Sequence, residues 1–163
     1  MVRSGLGLYG YCLPVERENG FTGVAEGQVQ SRLRPVMTWK TRVIGVRDVE
    51  AGATVGYNGT FVAPQQMRLA LLPIGYADGL RRELSGTSAH PGGWMMVCGQ
   101  RAPIIGRVSM NLTIVDVTGL AGVAVGDEAV ALGDGVTADD HARLAGTIPY
   151  EIVCGVRAPV RVV

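Results

Sequence analysis

The chain has 163 residues, of which 47% are hydrophobic and 18% charged, and its formal net charge is +1. That balance excludes a disordered chain and argues against the broad electropositive surface that nucleic acid or an anionic membrane requires; with only 6% aromatics, an oligonucleotide-binding barrel is a poor fit. No apolar run approaches the roughly 20 residues of a membrane span, no signal-peptide core is present, and three widely spaced cysteines (Cys12, Cys98, Cys154) without a CxxC read as buried free thiols of a cytoplasmic protein.

Glycine is abundant, at 24 residues, and valine is frequent; glycine punctuates short strands and valine favours them, so the composition leans toward β structure. Residues 1–13 read as one short strand ending before Pro14, and residues 16–34, rich in Gly, Gln and Arg without a period, read as a linker. From Pro35 the pattern changes. Residues 37–49 are β-like, residues 49–53 form a turn, and Val55 and Tyr57 lead into Asn58-Gly59, a pair that tolerates positive φ and so marks a hairpin. Residues 67–74 are almost continuously apolar, the pattern of a strand covered on both faces. A polar loop over residues 85–93 precedes a second hairpin, with residues 94–98 and 101–105 folded about Gly99-Gln100. An alternating run over residues 109–117 and a turn at residues 125–128 follow. Thr137 caps one clear helix, Asp140 completes a capping box, and Gly146 ends the helix. Residues 147–153 read as a further helical turn and residues 156–162 as a last strand. Many short strands at roughly 8–12-residue spacing, with one or two short helices, predict a mainly β fold: a small β-barrel or sandwich-like domain.

Four segments carry chemistry. An apolar strand ends in Gly75-Tyr76-Ala77-Asp78-Gly79, followed by Arg81 and Arg82, which brings a phenol and a guanidinium to one strand end and suits a small anion. Its company is Tyr57 in Gly56-Tyr57-Asn58-Gly59, Met110 in Gly106-Arg107-Val108-Ser109-Met110-Asn111, and Tyr150 in Thr147-Ile148-Pro149-Tyr150-Glu151. Singly, each has an ordinary reading. Tyr57 is a strand-end aromatic in a hairpin, Tyr76 a boundary tyrosine with a wet hydroxyl, Met110 a core residue, and Arg82 and Arg107 are solvated cations. His141, inside the helix, and His90, in a Gly/Pro loop, lack metal-like partners and read as structural.

Together these motifs, with Tyr150-Glu151-Ile152-Val153-Cys154, resemble the C-terminal domain of alanine racemase, in the right order and over essentially the whole chain. Val2-Arg3-Ser4-Gly5-Leu6-Gly7-Leu8-Tyr9-Gly10 is similar to the end of that family's other domain. The resemblance implies a division into residues 1–34, the end of a barrel domain plus a linker, and residues 35–163, the β domain. It implies an intact enzyme in which an N-terminal α/β barrel holds pyridoxal 5′-phosphate on a lysine. Two subunits pack head to tail, each β domain covering the partner's cofactor. The implied reaction interconverts L- and D-alanine with two bases, the lysine on one face of the α-carbon and a tyrosine on the other. By position, Tyr57 matches that tyrosine; Tyr76 matches the inner neck of the substrate channel; Met110 matches the residue whose amide helps hold the substrate carboxylate. Tyr150 matches a phosphate-binding tyrosine, Leu6 a phosphate-binding backbone amide, Arg3 the arginine on the pyridine nitrogen, and Arg82 and Arg107 the outer channel.

The residue types suit these roles. A phenol ordinarily titrates near pH 10, so one serving as base needs cationic neighbours and a fixed aim at the proton. An arginine on the ring nitrogen donates a hydrogen bond without surrendering its proton, which weakens the ring as an electron sink. The chain departs from the family in three ways. Lys40 is its only lysine and lies in a strand context, so the chain alone is expected to bind the cofactor weakly and not to racemise alanine. Asn111 stands where many members have Asp, and Ser109 where many have Cys. A serine or broad-specificity racemase shares these motifs, and a non-catalytic β-barrel that only assembles is the alternative from a different class; its exposed inner surface would self-associate.

Overall fold

A computed structural model describes residues 5–12 and 33–158. Its strands, in chain order, are β1 (Trp39–Arg42), β2 (Gly45–Val49), β3 (Thr54–Val55), β4 (Phe61–Val62), β5 (Met67–Leu72), β6 (Trp94–Val97), β7 (Gln100–Ile105), β8 (Thr113–Asp116) and β9 (Glu128–Leu132). Two helices follow, α1 (Ala138–Ala145) and α2 (Pro149–Gly155). Seven of the strands form one antiparallel sheet in the order β1-β9-β6-β7-β8-β5-β2, and β3 pairs with β4 as a separate ribbon. β1 and β2 adjoin in sequence yet occupy opposite edges. Only Val43 and Ile44 lie between them, and their amides donate to Asp127 O and Leu71 O, both at 2.9 Å, one toward each edge. A flat sheet of this size would be roughly 29 Å across. Two residues cannot span that, so the sheet curls into a half-barrel, in keeping with the mainly β fold expected from the spacing of the strands.

β5 shows why a continuous apolar run was needed. Met67 and Leu69 face a small cluster with Val55, Ala63 and Ile105. Ala70 and Leu72 face the main core, with Met95, Ile104, Val115 and Leu132. The strand is covered on both faces, and only Arg68 and the half-buried Leu71 interrupt its burial.

The turns follow their local chemistry. Asn58 and Gly59 both take positive φ, 61° and 56°, and the hairpin expected there forms, although its loop runs from Gly56 to Thr60 because Val55 pairs with Phe61. The second hairpin turns one residue earlier than expected. Val97 pairs with Gln100, so Cys98 (φ 49°) and Gly99 (φ 74°) occupy the turn; a two-residue turn of this hand needs positive φ at both positions. In α1 the capping box forms as expected: Thr137 Oγ1 accepts from Asp140 N at 3.1 Å and Asp140 Oδ2 from Thr137 N at 3.0 Å. Gly146 closes the helix at φ 67°. The helical turn expected over residues 147–153 is α2, which opens on Pro149.

Three expectations are corrected. Gly5–Tyr9 is a 3₁₀ turn, not a strand, because Gly5 takes φ +46° and the amides of Gly10 and Tyr11 bond back to Gly7 and Leu6; the rest of that expected strand lies outside the described residues. Residues 156–158 are irregular rather than the start of a last strand, the Arg157 amide being used by Asp78 O at 2.8 Å, and residues 159–162 lie outside. Cys98 and Cys154 are exposed and Cys12 half-buried, because Cys98 sits on a hairpin turn and Cys154 on the outward side of α2. Most of the expected linker also lies outside the described residues. His141 is buried at 1% exposure, and its Nε2 has no hydrogen-bond partner among the described residues. Burial lowers its pKa to about 4, against the raising effects of Trp94's backbone and Asp140.

Candidate active site

Four loops converge at one end of the half-barrel, and close backbone contacts fix their relation. The Gly75 motif lies on the Ser109-Met110 turn: Tyr76 N donates to Ser109 O at 3.0 Å and Ala77 N to Met110 O at 2.9 Å. A Cβ on Gly75 would lie 2.3 Å from Ser109 O and 2.4 Å from Met110 O, so only glycine permits this approach. Asp78 closes the loop on itself by accepting Gly75 N at 2.8 Å. The same motif meets the end of α2, where Gly79, at φ +103°, touches the Gly155 carbonyl. The Tyr57 loop meets the Gly106 motif through Gly56, whose missing side chain faces Arg107 N and Gly106 Cα. Ser109 holds its own turn, with Oγ donating to Leu112 O at 2.8 Å and accepting from Leu112 N at 3.0 Å. That leaves Met110 at the tip, and its N–H has no partner among the described residues.

These contacts enclose an open cavity of about 750 Å³. Tyr57, Tyr76, Arg82, Arg107 and Met110 all line it. Tyr57 is 70% exposed, Tyr76 49% and Met110 57%; a phenol so exposed is free to meet a ligand. Arg81 and Arg157 join Arg82 and Arg107 on the lining, against Glu83 and Glu151, so the cavity carries an excess of fixed positive charge and draws carboxylates. Arg81 spans Glu83 (3.5 Å) and Glu151 (3.6 Å), tying α2 to the Gly75 loop. Arg107 Nε is buried without a hydrogen-bond partner among the described residues.

Tyr150 and Leu6 form a second group. The Tyr150 hydroxyl accepts Leu6 N–H at 2.9 Å, and Gly5 lies so close that a Cβ there would meet the hydroxyl. Tyr150 precedes Glu151, which lines the cavity. Arg3 lies outside the described residues. Lys40, on β1, pairs with Glu128 at 2.9 Å and is not among the cavity-lining residues. Asn111 is exposed. Arg157 was not singled out from sequence, and Glu151 entered only as the neighbour of Tyr150, while Arg81 was named with Arg82 at the end of the Gly75 strand. Arg81 has a local signal, since it adjoins Arg82; Arg157 has none, because the Asp78 carbonyl brings it in across the fold.

Residues 36–163 match the family described as "Alanine racemase, C-terminal domain". An alanine racemase from Syntrophobacter fumaroxidans is 46% identical over 128 residues, covering 76% of this chain and 33% of that protein. One from Halothermothrix orenii is 40% identical over 160 residues, covering 96% and 38%. Among solved structures, alanine racemase from Bartonella henselae, crystallised with covalently bound pyridoxal phosphate, superposes with TM-score 0.78 at 30% identity, covering 94% of this chain and 38% of that one. The biosynthetic alanine racemase of Pseudomonas aeruginosa superposes with TM-score 0.74 at 35% identity, covering 96% and 40%. The chain thus spans about a third to two fifths of the relatives it matches.

Proposed function

Because the chain belongs to the alanine racemase C-terminal domain family, we propose that it supplies the tyrosine side of a two-base racemase site that interconverts L- and D-alanine. Tyr57 takes the α-proton from one face or returns it there. The Met110 N–H, with Arg82 and Arg107 further out, receives the substrate carboxylate. Tyr76 narrows the approach. The observation that supports this reading is the exposed Tyr57 phenol on the wall that also holds Tyr76, Met110 and the arginines.

The residues present fit pyridoxal phosphate as a partner held from outside. Tyr150 and Leu6 place a hydroxyl and an amide together, bonded to each other, with Gly5 allowing the hydroxyl to come close; both would turn to the phosphate, and Arg3 to the pyridine nitrogen. When bound, the cofactor supplies the electron sink that acidifies the α-carbon. This chain offers no lysine at the cavity, so the anchoring lysine comes from a barrel domain of a partner subunit. The chain alone binds the cofactor weakly and is inactive. We place the partner against the apolar groove beside Tyr57, lined by Leu71, Leu112 and Ile114, an arrangement that makes the enzyme a homodimer.

The test is complementation. Adding the purified chain to a barrel half that carries the cofactor lysine restores alanine racemisation. A barrel half equally active with and without this chain overturns the reading and favours a β domain that only assembles.

A further inference from the structure

The ribbon that carries Tyr57 has an edge to satisfy. β4 gives one side of its backbone to β3 through the pairs Thr54–Val62 and Val55–Phe61. On the other side the Thr60 carbonyl and the Val62 amide flank Phe61, an acceptor and a donor that a neighbouring strand would ordinarily take. One residue takes both. Ser88 donates its backbone N–H to Thr60 O at 3.1 Å, and its Oγ accepts Val62 N–H at 2.9 Å. Ser88 is itself held. Thr87 N donates to His90 O at 2.8 Å, and Thr87 Oγ1 accepts from the amides of Ala89 (3.3 Å) and His90 (3.0 Å). At the root of the same loop Ser85 Oγ accepts Val108 N–H at 3.0 Å, and Gly86 bridges Gly106. The loop of residues 85–93 therefore runs from the motif that carries Arg107 and Met110 to the ribbon that carries Tyr57.

We propose that Ser88 is a positioning residue for Tyr57, and that its loop is a strut setting the distance between the proton-transferring phenol and the turn that receives the substrate. The inference rests on the reading of Tyr57 given above. A ribbon of two residue pairs is marginal by itself. Tyr57 is 70% exposed, so its own packing does little to aim it; the attachments of the ribbon do. Val55 and Ala63 anchor its base in the small cluster with Met67, Leu69 and Ile105; nearer the Tyr57 loop the attachments are the Gly56–Gly106 contact and Ser88. Removing Oγ leaves Val62 N–H without its protein acceptor and loosens the ribbon on that side, where the Ser88 N–H to Thr60 O bond alone remains. The phenol then spends less time in productive geometry, while the Met110 turn and the arginines are untouched. The loss falls on turnover rather than on substrate binding.

The test uses Ser88→Ala and Ser88→Thr, and reads two quantities. In the chain itself, hydrogen exchange at Val62 and residues 57–60 rises about tenfold in Ser88→Ala, with β5 and β8 unchanged. In the enzyme completed by a barrel half, kcat falls about tenfold and KM stays within about twofold. Ser88→Thr, which keeps the hydroxyl at an exposed position, restores both. Unchanged exchange in Ser88→Ala overturns the proposal. So does faster exchange with unchanged kcat, or a Ser88→Thr variant as impaired as Ser88→Ala. If the completed enzyme is active but indifferent to Tyr57→Phe, the reading of Tyr57 fails, while the exchange comparison still decides whether Ser88 holds the ribbon.

Discussion

Replacing Gly75 by alanine tests whether the site is built by backbone contact. The added Cβ would lie 2.3 Å from Ser109 O and 2.4 Å from Met110 O. Side-chain carbons do not approach carbonyl oxygens closer than about 3.0 Å, so the two turns must part by roughly 0.7 Å. Both partners are backbone, and neither can rotate aside. Backbone conformation is not the obstacle, since φ at Gly75 is −152°, open to any residue. The separation stretches the bonds from Tyr76 N and Ala77 N, at about 0.5–1.5 kcal/mol each, and adds overpacking of about 1–3 kcal/mol, for a total of about 2–6 kcal/mol. It also moves Tyr76 away from Met110, and displacements near 1 Å at a site cost on the order of 100-fold in rate. Urea unfolding of Gly75→Ala gives the first quantity, and racemase activity of the completed enzyme gives the second. Gly119→Ala is the control, because its Cβ would meet nothing within 4 Å, and it stays within about 0.5 kcal/mol of the parent. A Gly75→Ala chain as stable as that control would refute the contact.

The remaining predictions concern stability. His141 has its folded pKa lowered to about 4 by burial; below its unfolded value near 6.5 the unfolded chain holds a proton that the folded chain lacks. Stability contributed by neutral His141 is therefore present above about pH 6.5 and is lost as pH falls toward 4, by at most about 3 kcal/mol. Thermal melts between pH 7 and pH 4.5 read this, and His141→Gln flattens the slope. Asp139, raised by burial and by Asp140, opposes the loss at the acid end. Thr137→Ala removes the acceptor of Asp140 N and lowers stability by about 1 kcal/mol, read as a drop of a few degrees in Tm; an unchanged Tm would show that α1 does not depend on its cap.

Much of the fold was legible because its signals are local. Thr137 and Asp140 lie three residues apart and cap a helix by themselves; Asn58-Gly59 tolerate the φ values that reverse a chain; the run through β5 needs cover on both faces whatever provides it. The misreadings come from the opposite situation. Residues 5–9 look like part of a strand, yet Gly5 curls them into a 3₁₀ turn whose Leu6 N–H meets the Tyr150 hydroxyl, a contact across 144 positions of sequence. The turn at Cys98 was displaced by one residue because Cys is a rare occupant of positive φ, whereas Gly99 is an ordinary one. For the site, each motif was visible as residue types, and the resemblance joined them. What joins them physically, the bare backbone contacts at Gly75, Gly79 and Gly56 and the bonds from Ser85 and Ser88, links distant segments through atoms that every residue has or through short hydroxyls, and no spacing rule marks such pairs.

The central claim is that the Tyr57 phenol handles the α-proton on one face of the substrate. Tyr57→Phe in the completed enzyme, followed in deuterated water for both alanine enantiomers, tests it most directly. The account predicts that racemisation falls by about 10²- to 10⁴-fold, while one enantiomer still exchanges its α-hydrogen through the base on the other face. Racemisation at the parent rate, or exchange lost equally from both enantiomers, would contradict it.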